Sequence, residues 1–208
     1  MPNNHYRRFT DLPSLIQILS NRELTLLDPA TWDDKNDSFF LSTYKQKKNL
    51  KSVLALCFTS SRETYHHWKV FSSGPAGVCI HFERAKLDAA FEKVPGVKFK
   101  EVAYLKISSL NKEASLIDGL PFVKRYPFRP EHEHRALWES DSESKDYLNV
   151  EIDLSSITRI SLSPWLHRSL KDNIVSLLRG IEGCAHIDIQ RSTIVGNAEW
   201  RRFGKRAQ

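Results

Sequence analysis

The stretch Pro130-Glu131-His132-Glu133-His134-Arg135 holds five ionisable residues out of six. Apolar residues flank it, with Phe122, Tyr126 and Phe128 before and Ala136, Leu137 and Trp138 after. An extended backbone puts alternate side chains on one face. Glu131, Glu133 and Arg135 then share a face, and His132 and His134 share the other. On that geometry the carboxylates stand about 7 Å apart, beside a guanidinium. The competing reading is a row of cross-strand salt bridges on an exposed sheet face.

The surrounding chain reads as a mixture of strands and helices. Val53-Leu54-Ala55-Leu56-Cys57-Phe58 is a nearly continuous apolar run, the pattern of a strand buried on both faces. It ends in Thr59-Ser60-Ser61, which alone reads as a turn or helix cap. Residues 77–82 form a second apolar strand, and shorter strands are expected over 6–9, 23–27, 97–107, 147–154, 157–162 and 185–190. Thr10 or Asp11 is placed to cap a helix through Leu19, whose Leu12, Leu15, Ile16 and Leu19 fall on one face. Further helices are expected over 39–48, 63–71, 84–91 and 166–178, while 29–37 reads as a polar loop and 116–124 stays open. Strands outnumber helices without regular βαβ alternation, so the fold class is α+β.

The 208 residues suit a single domain, 1–208, ending in an irregular basic tail over 192–208. No apolar run reaches membrane-spanning length, and the N-terminus lacks the apolar core of a signal peptide. Cys57, Cys79 and Cys184 are odd in number and lack metal-ligand spacing, which reads as a reduced, cytoplasmic protein. The formal charge of +6 favours anionic partners such as nucleic acid or nucleotides. The excess gathers in Lys45-Gln46-Lys47-Lys48 and in Trp200-Arg201-Arg202-Phe203-Gly204-Lys205-Arg206, each equally readable as a solvated face. Asp33-Asp34-Lys35-Asn36-Asp37 carries closely spaced oxygen ligands but lacks the glycine and closing glutamate of a calcium loop, so an Asx-turn is expected.

Three features occur in a set order: Arg7-Arg8, then Phe58-Thr59-Ser60-Ser61, then Glu131-His132-Glu133. This order resembles the arginine, serine-threonine-serine, Glu-x-Glu pattern of mono-ADP-ribosyltransferases. The chain also resembles a bacterial family, the domain of unknown function numbered twenty-nine seventy-one. That second resemblance rests on Tyr6-Arg7-Arg8-Phe9, Asp33-Asp34-Lys35-Asn36-Asp37, Cys57-Phe58-Thr59, Trp68-Lys69-Val70-Phe71, Gly77-Val78-Cys79-Ile80-His81-Phe82 and Glu131-His132-Glu133-His134-Arg135. The transferase resemblance implies a split, twisted, mostly antiparallel sheet with flanking helices and NAD as co-substrate.

Carried over residue by residue, it makes Glu133 catalytic, the stabiliser of the oxocarbenium ion formed as nicotinamide leaves, and Glu131 the activator of the acceptor. Arg8 is the first choice for the NAD-contacting arginine because it precedes Phe9-Thr10, with Arg7 close behind; the two point to opposite faces of a strand, so one of them lines the site. Ser60 takes the hydroxyl role with Thr59 or Ser61 beside it, and Tyr65 or Trp68 serves as the aromatic clamp. The order Thr59-Ser60-Ser61 departs from the usual serine-threonine-serine. The setting implied is a bacterial or prophage-encoded toxin, effector or defence component, with RNA or DNA favoured over protein as acceptor. An antitoxin partner is left open. A non-catalytic nucleic-acid- or partner-binding module is the second reading. A metal-dependent nucleotide or nucleic-acid hydrolase using Glu131 and Glu133 is the third.

Overall fold

In the computed structural model of the chain, residues 4–72, 74–112 and 117–206 are described. The start of the 116–124 stretch and the last two residues of the 192–208 tail lie outside them. The elements run β1 (His5–Asp11), α1 (Leu12–Asn21), β2 (Glu23–Leu27), α2 (Lys35–Lys47), β3 (Ser52–Thr59), α3 (Tyr65–Phe71), β4 (Gly77–Glu83), α4 (Arg84–Glu92), β5 (Val97–Glu101), β6 (Ala103–Leu105), β7 (Val123–Arg125), β8 (Glu133–Ser140), β9 (Tyr147–Glu151), β10 (Ile157–Leu162), α5 (Arg168–Arg179), β11 (Asp188–Arg191) and α6 (Ala198–Arg206).

Nine of the strands join one mixed, mostly antiparallel sheet, and β6 and β7 form a small parallel pair apart from it. The large sheet is split at β3. One edge of β3 pairs with β8 along its whole length, from Ser52 opposite Ser140 to Thr59 opposite Glu133. The other edge is shared: β2 meets it at Leu27 opposite Ala55, and β1 meets it at Arg7 opposite Thr59. Beyond β1 lie β4, β10 and β11; beyond β2 lies β9; and β5 flanks β8.

The apolar run of β3 accounts for its central place, because both its faces are covered. Leu54, Leu56 and Phe58 face the main core with Tyr6, Ile80, Phe82 and Trp138, under α1, α4 and α5. Phe58 meets Phe82, Phe91 and Phe99 edge-on, a geometry that adds to burial. On the opposite face Val53 and Ala55 pack with Leu137 and Phe122 against Leu41 and Tyr44 of α2. Phe9, Trp68 and Cys79 make a third cluster, where α3 lies on β1 and β4. Between these last two clusters the face carries Arg7, Cys57, Thr59 and Glu133.

Local chemistry explains most boundaries. Asp11 caps α1 by accepting from the Ser14 N–H at 2.8 Å, and α1 ends at Arg22 in the left-handed region (φ 57°). The expected polar loop over 29–37 is shorter, because the Asp34 carboxylate accepts from the N–H groups of Asn36 and Asp37 and starts α2 at Lys35. The strand expected over 97–107 breaks at Val102, whose N–H donates to the Glu133 carbonyl at 2.9 Å. The chain then leaves to pair with β7. The tail contains a helix, where an irregular segment is expected: Asn197 accepts from the Trp200 N–H at 3.0 Å and caps α6. None of its residues is buried.

Candidate active site

Strand register assembles the site. Thr59 lies directly opposite Glu133 on one side and Arg7 on the other. Paired residues share a face, so Arg7, Thr59 and Glu133 form one polar row across β1, β3 and β8. Neighbouring strands lie about 4.8 Å apart. The row therefore brings an arginine, a hydroxyl and a carboxylate from three distant parts of the sequence within side-chain reach.

The pleat decides between the two arginines. Arg8, the first choice on sequence, sits on the opposite face with Tyr6 and donates to the Cys57 carbonyl at 3.0 Å. That carbonyl lies between the β1 and β2 pairings, so Arg8 fills the split from the core side. Arg7 is the arginine on the Glu133 face. It is 9% exposed, and its Nη1 donates to the Ser61 carbonyl at 2.7 Å.

The hydroxyl segment acts on the backbone that carries the glutamates. Thr59 Oγ1 donates to the Glu131 carbonyl, and the Ser61 N–H donates to Thr59 Oγ1 at 3.0 Å. The Ser60 N–H and Oγ both donate to the His132 carbonyl, at 3.0 and 3.3 Å, and Ser61 Oγ donates to the Pro130 carbonyl at 3.3 Å. Three consecutive carbonyls are thus held by three consecutive residues. They clamp a turn in which His132 is left-handed (φ 43°, ψ 52°). This departs from the extended geometry expected for the whole stretch. Only Glu133 and Arg135 alternate on a strand; Glu131 ends a 3-10 turn and reaches the site from beyond the bend.

The two carboxylates converge on one ammonium. Lys124 Nζ, from β7, lies 2.8 Å from Glu131 Oε2 and 3.3 Å from Glu133 Oε2. Arg135 donates to Glu133 Oε1 through Nε at 2.8 Å. Its Nη1 and Nη2 grip both oxygens of Asp37, at 2.9 and 2.6 Å, a paired-fork contact stronger than a single bond. Asp34 lies at the margin, 4.0 Å from Lys124. Trp32 lies against the Arg135 guanidinium, 4.9 Å from its ring centre. Four carboxylates therefore share two cations in a largely buried setting. Tyr104 completes the frame by accepting from the Glu133 N–H through its hydroxyl, at 2.8 Å.

The surroundings push the two glutamates apart. Burial opposes ionisation of Glu133, yet Arg135 and then Lys124 outweigh it and hold its carboxyl below the usual range. Burial raises the Glu131 carboxyl, and Lys124 only partly offsets the rise. The two carboxyls are thus shifted in opposite directions from the ordinary glutamate range. Cys57 is half-buried beside Glu133; burial first, then that carboxylate, pushes its thiol well above its ordinary value. A thiol so shifted is a poor nucleophile.

The remaining expected residues are dispersed. Tyr65 is exposed and its ring meets Trp165 and Lys69, away from Glu133. Trp68 is fully buried core. Ser60 is spent on the His132 carbonyl. Asp37, Lys124 and Tyr104 were not anticipated. One signal pointed to an acid: a guanidinium inside an apolar strand must find a carboxylate, and the 33–37 loop is rich in them. Lys124 had no signal in its own neighbourhood. Among the described residues, no group of three His, Cys, Asp or Glu side chains is arranged to hold a metal ion.

No family model matches the chain, and no curated protein matches it. The resemblance to the family of unknown function therefore has no family model behind it. Among solved structures the chain is similar to Thermus sp. 2.9 DarT in complex with ADP-ribosylated ssDNA, with a TM-score of 0.48 and 9% identity over 91% of this chain and 94% of that chain.

Proposed function

We propose that the chain is an NAD-dependent mono-ADP-ribosyltransferase whose catalytic centre is Glu133. The single observation that carries this reading is the row Arg7, Thr59, Glu133, set in register on three adjacent strands where the sheet splits. It realises the arginine, hydroxyl, glutamate order of the motif resemblance on one face.

In this reading the bond between the ribose C1′ and the nicotinamide nitrogen breaks. Its electron pair leaves with nicotinamide, and positive charge builds on the ribose. Glu133, held ionised by Arg135 and Lys124, stabilises that charge. An acceptor nucleophile then bonds to C1′ and gives up its proton to Glu131. Arg7 holds the pyrophosphate through its planar fork. The hydroxyl segment acts by fixing the Pro130 to His132 backbone and so the separation of the two carboxylates.

Nucleic acid is the favoured acceptor. The +6 charge supports it, as does α6, an exposed helix carrying Trp200 and Phe203 beside Arg201, Arg202, Lys205 and Arg206. The same helix favours a second reading, a non-catalytic nucleic-acid-binding module. No helix among the described residues is long and apolar enough to cross a membrane. The test is incubation of purified protein with labelled NAD and total RNA, DNA and protein, beside Glu133→Gln. Label on one fraction with the wild type alone supports transfer and names the acceptor. NAD neither bound nor consumed with every fraction leaves the binding module.

A further inference from the structure

Residues 123–129 cross the site from outside the large sheet. They comprise β7 and the first part of the 3-10 turn that ends at Glu131. Both ends of the segment are fixed. Before it, Arg135 Nη1 donates to the Pro121 carbonyl at 2.7 Å, and Phe122 is buried against α2. After it, Ser61 and Thr59 hold the Pro130 and Glu131 carbonyls. Little holds the middle. Among the described residues β7 pairs with β6 alone, a strand of three residues. Arg125, Tyr126, Pro127 and Arg129 are exposed, and Tyr126 meets Lys106 and Arg129 at the surface. A stretch with so few buried apolar contacts opens at low cost.

Lys124 is the firm anchor in this middle. Its side chain is 9% exposed, and its Nζ lies 2.8 Å from Glu131, 3.3 Å from Glu133 and 3.7 Å from Asp37. Burial opposes its charge, but Glu133 and Glu131 outweigh burial and the ammonium is kept. Glu133 Oε1 is already taken by Arg135, through Nε at 2.8 Å and Nη2 at 2.7 Å. Oε2 is left for an incoming group, and Lys124 covers it. In the transferase reading, positive charge builds on the ribose in front of this carboxylate. An ammonium on the same oxygen repels that charge, and most strongly in a buried setting. Ammonium and ribose cation compete for one place. Arg135 does not compete, because it holds the other oxygen and is itself answered by Asp37. Against the burial that opposes ionisation of Glu133, Arg135 also counts for more than Lys124, so the carboxylate stays charged when the lysine leaves.

We infer that residues 123–129 form a strap with Lys124 as its latch, which closes the free protein over Glu131 and Glu133 and withdraws when the ribose of the dinucleotide enters. The exchange of ammonium for ribose rests on the transferase reading; the latch rests on the ion pairs. A closed strap leaves a small fraction of the protein competent to bind. Apparent affinity is the intrinsic affinity scaled by that fraction. Weakening the latch raises the fraction and tightens binding, which is the opposite of removing a ligand contact.

The test compares wild type, Lys124→Met and Glu131→Gln. Amide hydrogen exchange over 123–129 is read in the free protein, and NAD is titrated by calorimetry without acceptor. Methionine keeps an unbranched stem and removes the ammonium. Glu131→Gln keeps the ammonium, removes the charge nearest to it and leaves Arg135 on Glu133; it carries the test if Lys124→Met does not fold, which thermal melting checks. Loss of one charge-assisted contact changes the opening equilibrium by about tenfold. Lys124→Met is expected to exchange about that much faster over 123–129, with β3 and β8 unchanged, and to bind NAD about that much more tightly. Glu131→Gln moves both readouts the same way by less. Unchanged exchange, or NAD affinity in the folded variants equal to or weaker than wild type, overturns the latch even where label passes from NAD to an acceptor. Faster exchange over 123–129 with NAD bound by none of the three proteins removes the transferase reading and leaves the strap held by Lys124.

Discussion

At the scale of single residues, the proposed chemistry depends on how Glu133 is neutralised. Its carboxylate has two cationic partners, and one of them, Arg135, is completely buried. Replacing a buried partner strands the charges it served, at about 3–5 kcal/mol. Arg135→Met is therefore expected to lose about that much stability in urea unfolding, since both Glu133 and Asp37 lose their guanidinium. Glu133→Gln is milder. Asp37 still grips Arg135, and the amide oxygen still accepts, so the cost is about 1–3 kcal/mol. On the proposed transferase reading its effect on turnover is larger, about a hundredfold or more, because the amide carries no charge for the ribose cation. A Glu133→Gln enzyme with wild-type turnover would remove Glu133 from the catalytic role.

At the scale of elements, the turn before β8 is the most constrained segment. His132 is left-handed, a conformation that costs a side-chain-bearing residue about 1–2 kcal/mol and glycine nothing. His132→Gly is expected to keep both stability and transfer. His132→Val, β-branched at the same angles, is expected to lose about 2 kcal/mol and to lower turnover by displacing Glu131. Equal melting temperatures for the two variants would show that the turn is not held by its φ. Helix α6 behaves in the opposite way. Trp200 and Phe203 are 75% and 68% exposed, stacked on one another and buried against nothing. Trp200→Ala with Phe203→Ala should leave the melting temperature unchanged within about a degree, since exposed positions contribute within about 0.5 kcal/mol. Affinity for single-stranded nucleic acid should fall, which filter binding reads.

At the scale of the whole molecule, acid stability follows from the Glu133 cluster. Because the folded protein holds the Glu133 carboxyl below its ordinary value, its contribution is present above the ordinary glutamate pKa of about 4.3 and is lost as pH falls through the lower folded value. Glu131 is shifted the other way, so its own contribution favours the fold at low pH and fades as pH rises. The stability gap between wild type and Glu133→Gln should narrow below about pH 4, as the protonated carboxyl comes to resemble the amide. A gap that is constant from neutral pH to pH 3 would show that ionisation of Glu133 does not matter to the fold.

The chain's own pattern was enough to mark most of its strands and helices, though not β7, the break between β5 and β6, or α6. The apolar run of β3 could only be buried on both faces, and Asp11 and Gly74 punctuate their neighbours, the one by side-chain capping and the other in the left-handed region (φ 56°) just before β4. The order of arginine, hydroxyls and glutamates was likewise legible, because it is linear information. Three things were decided only by tertiary structure. Arg7 and not Arg8 faces Glu133, because a slip of one residue in register exchanges the faces of a strand. Glu131 reaches the site around a left-handed bend, because the Thr59, Ser60 and Ser61 donors pull three carbonyls toward β3. Asp37 meets Arg135 across 98 residues, because a buried charge draws its partner from wherever the fold brings one close. Periodicity and capping act between near neighbours and can be read along the chain; register and charge pairing act across space and exist only once the strands have met.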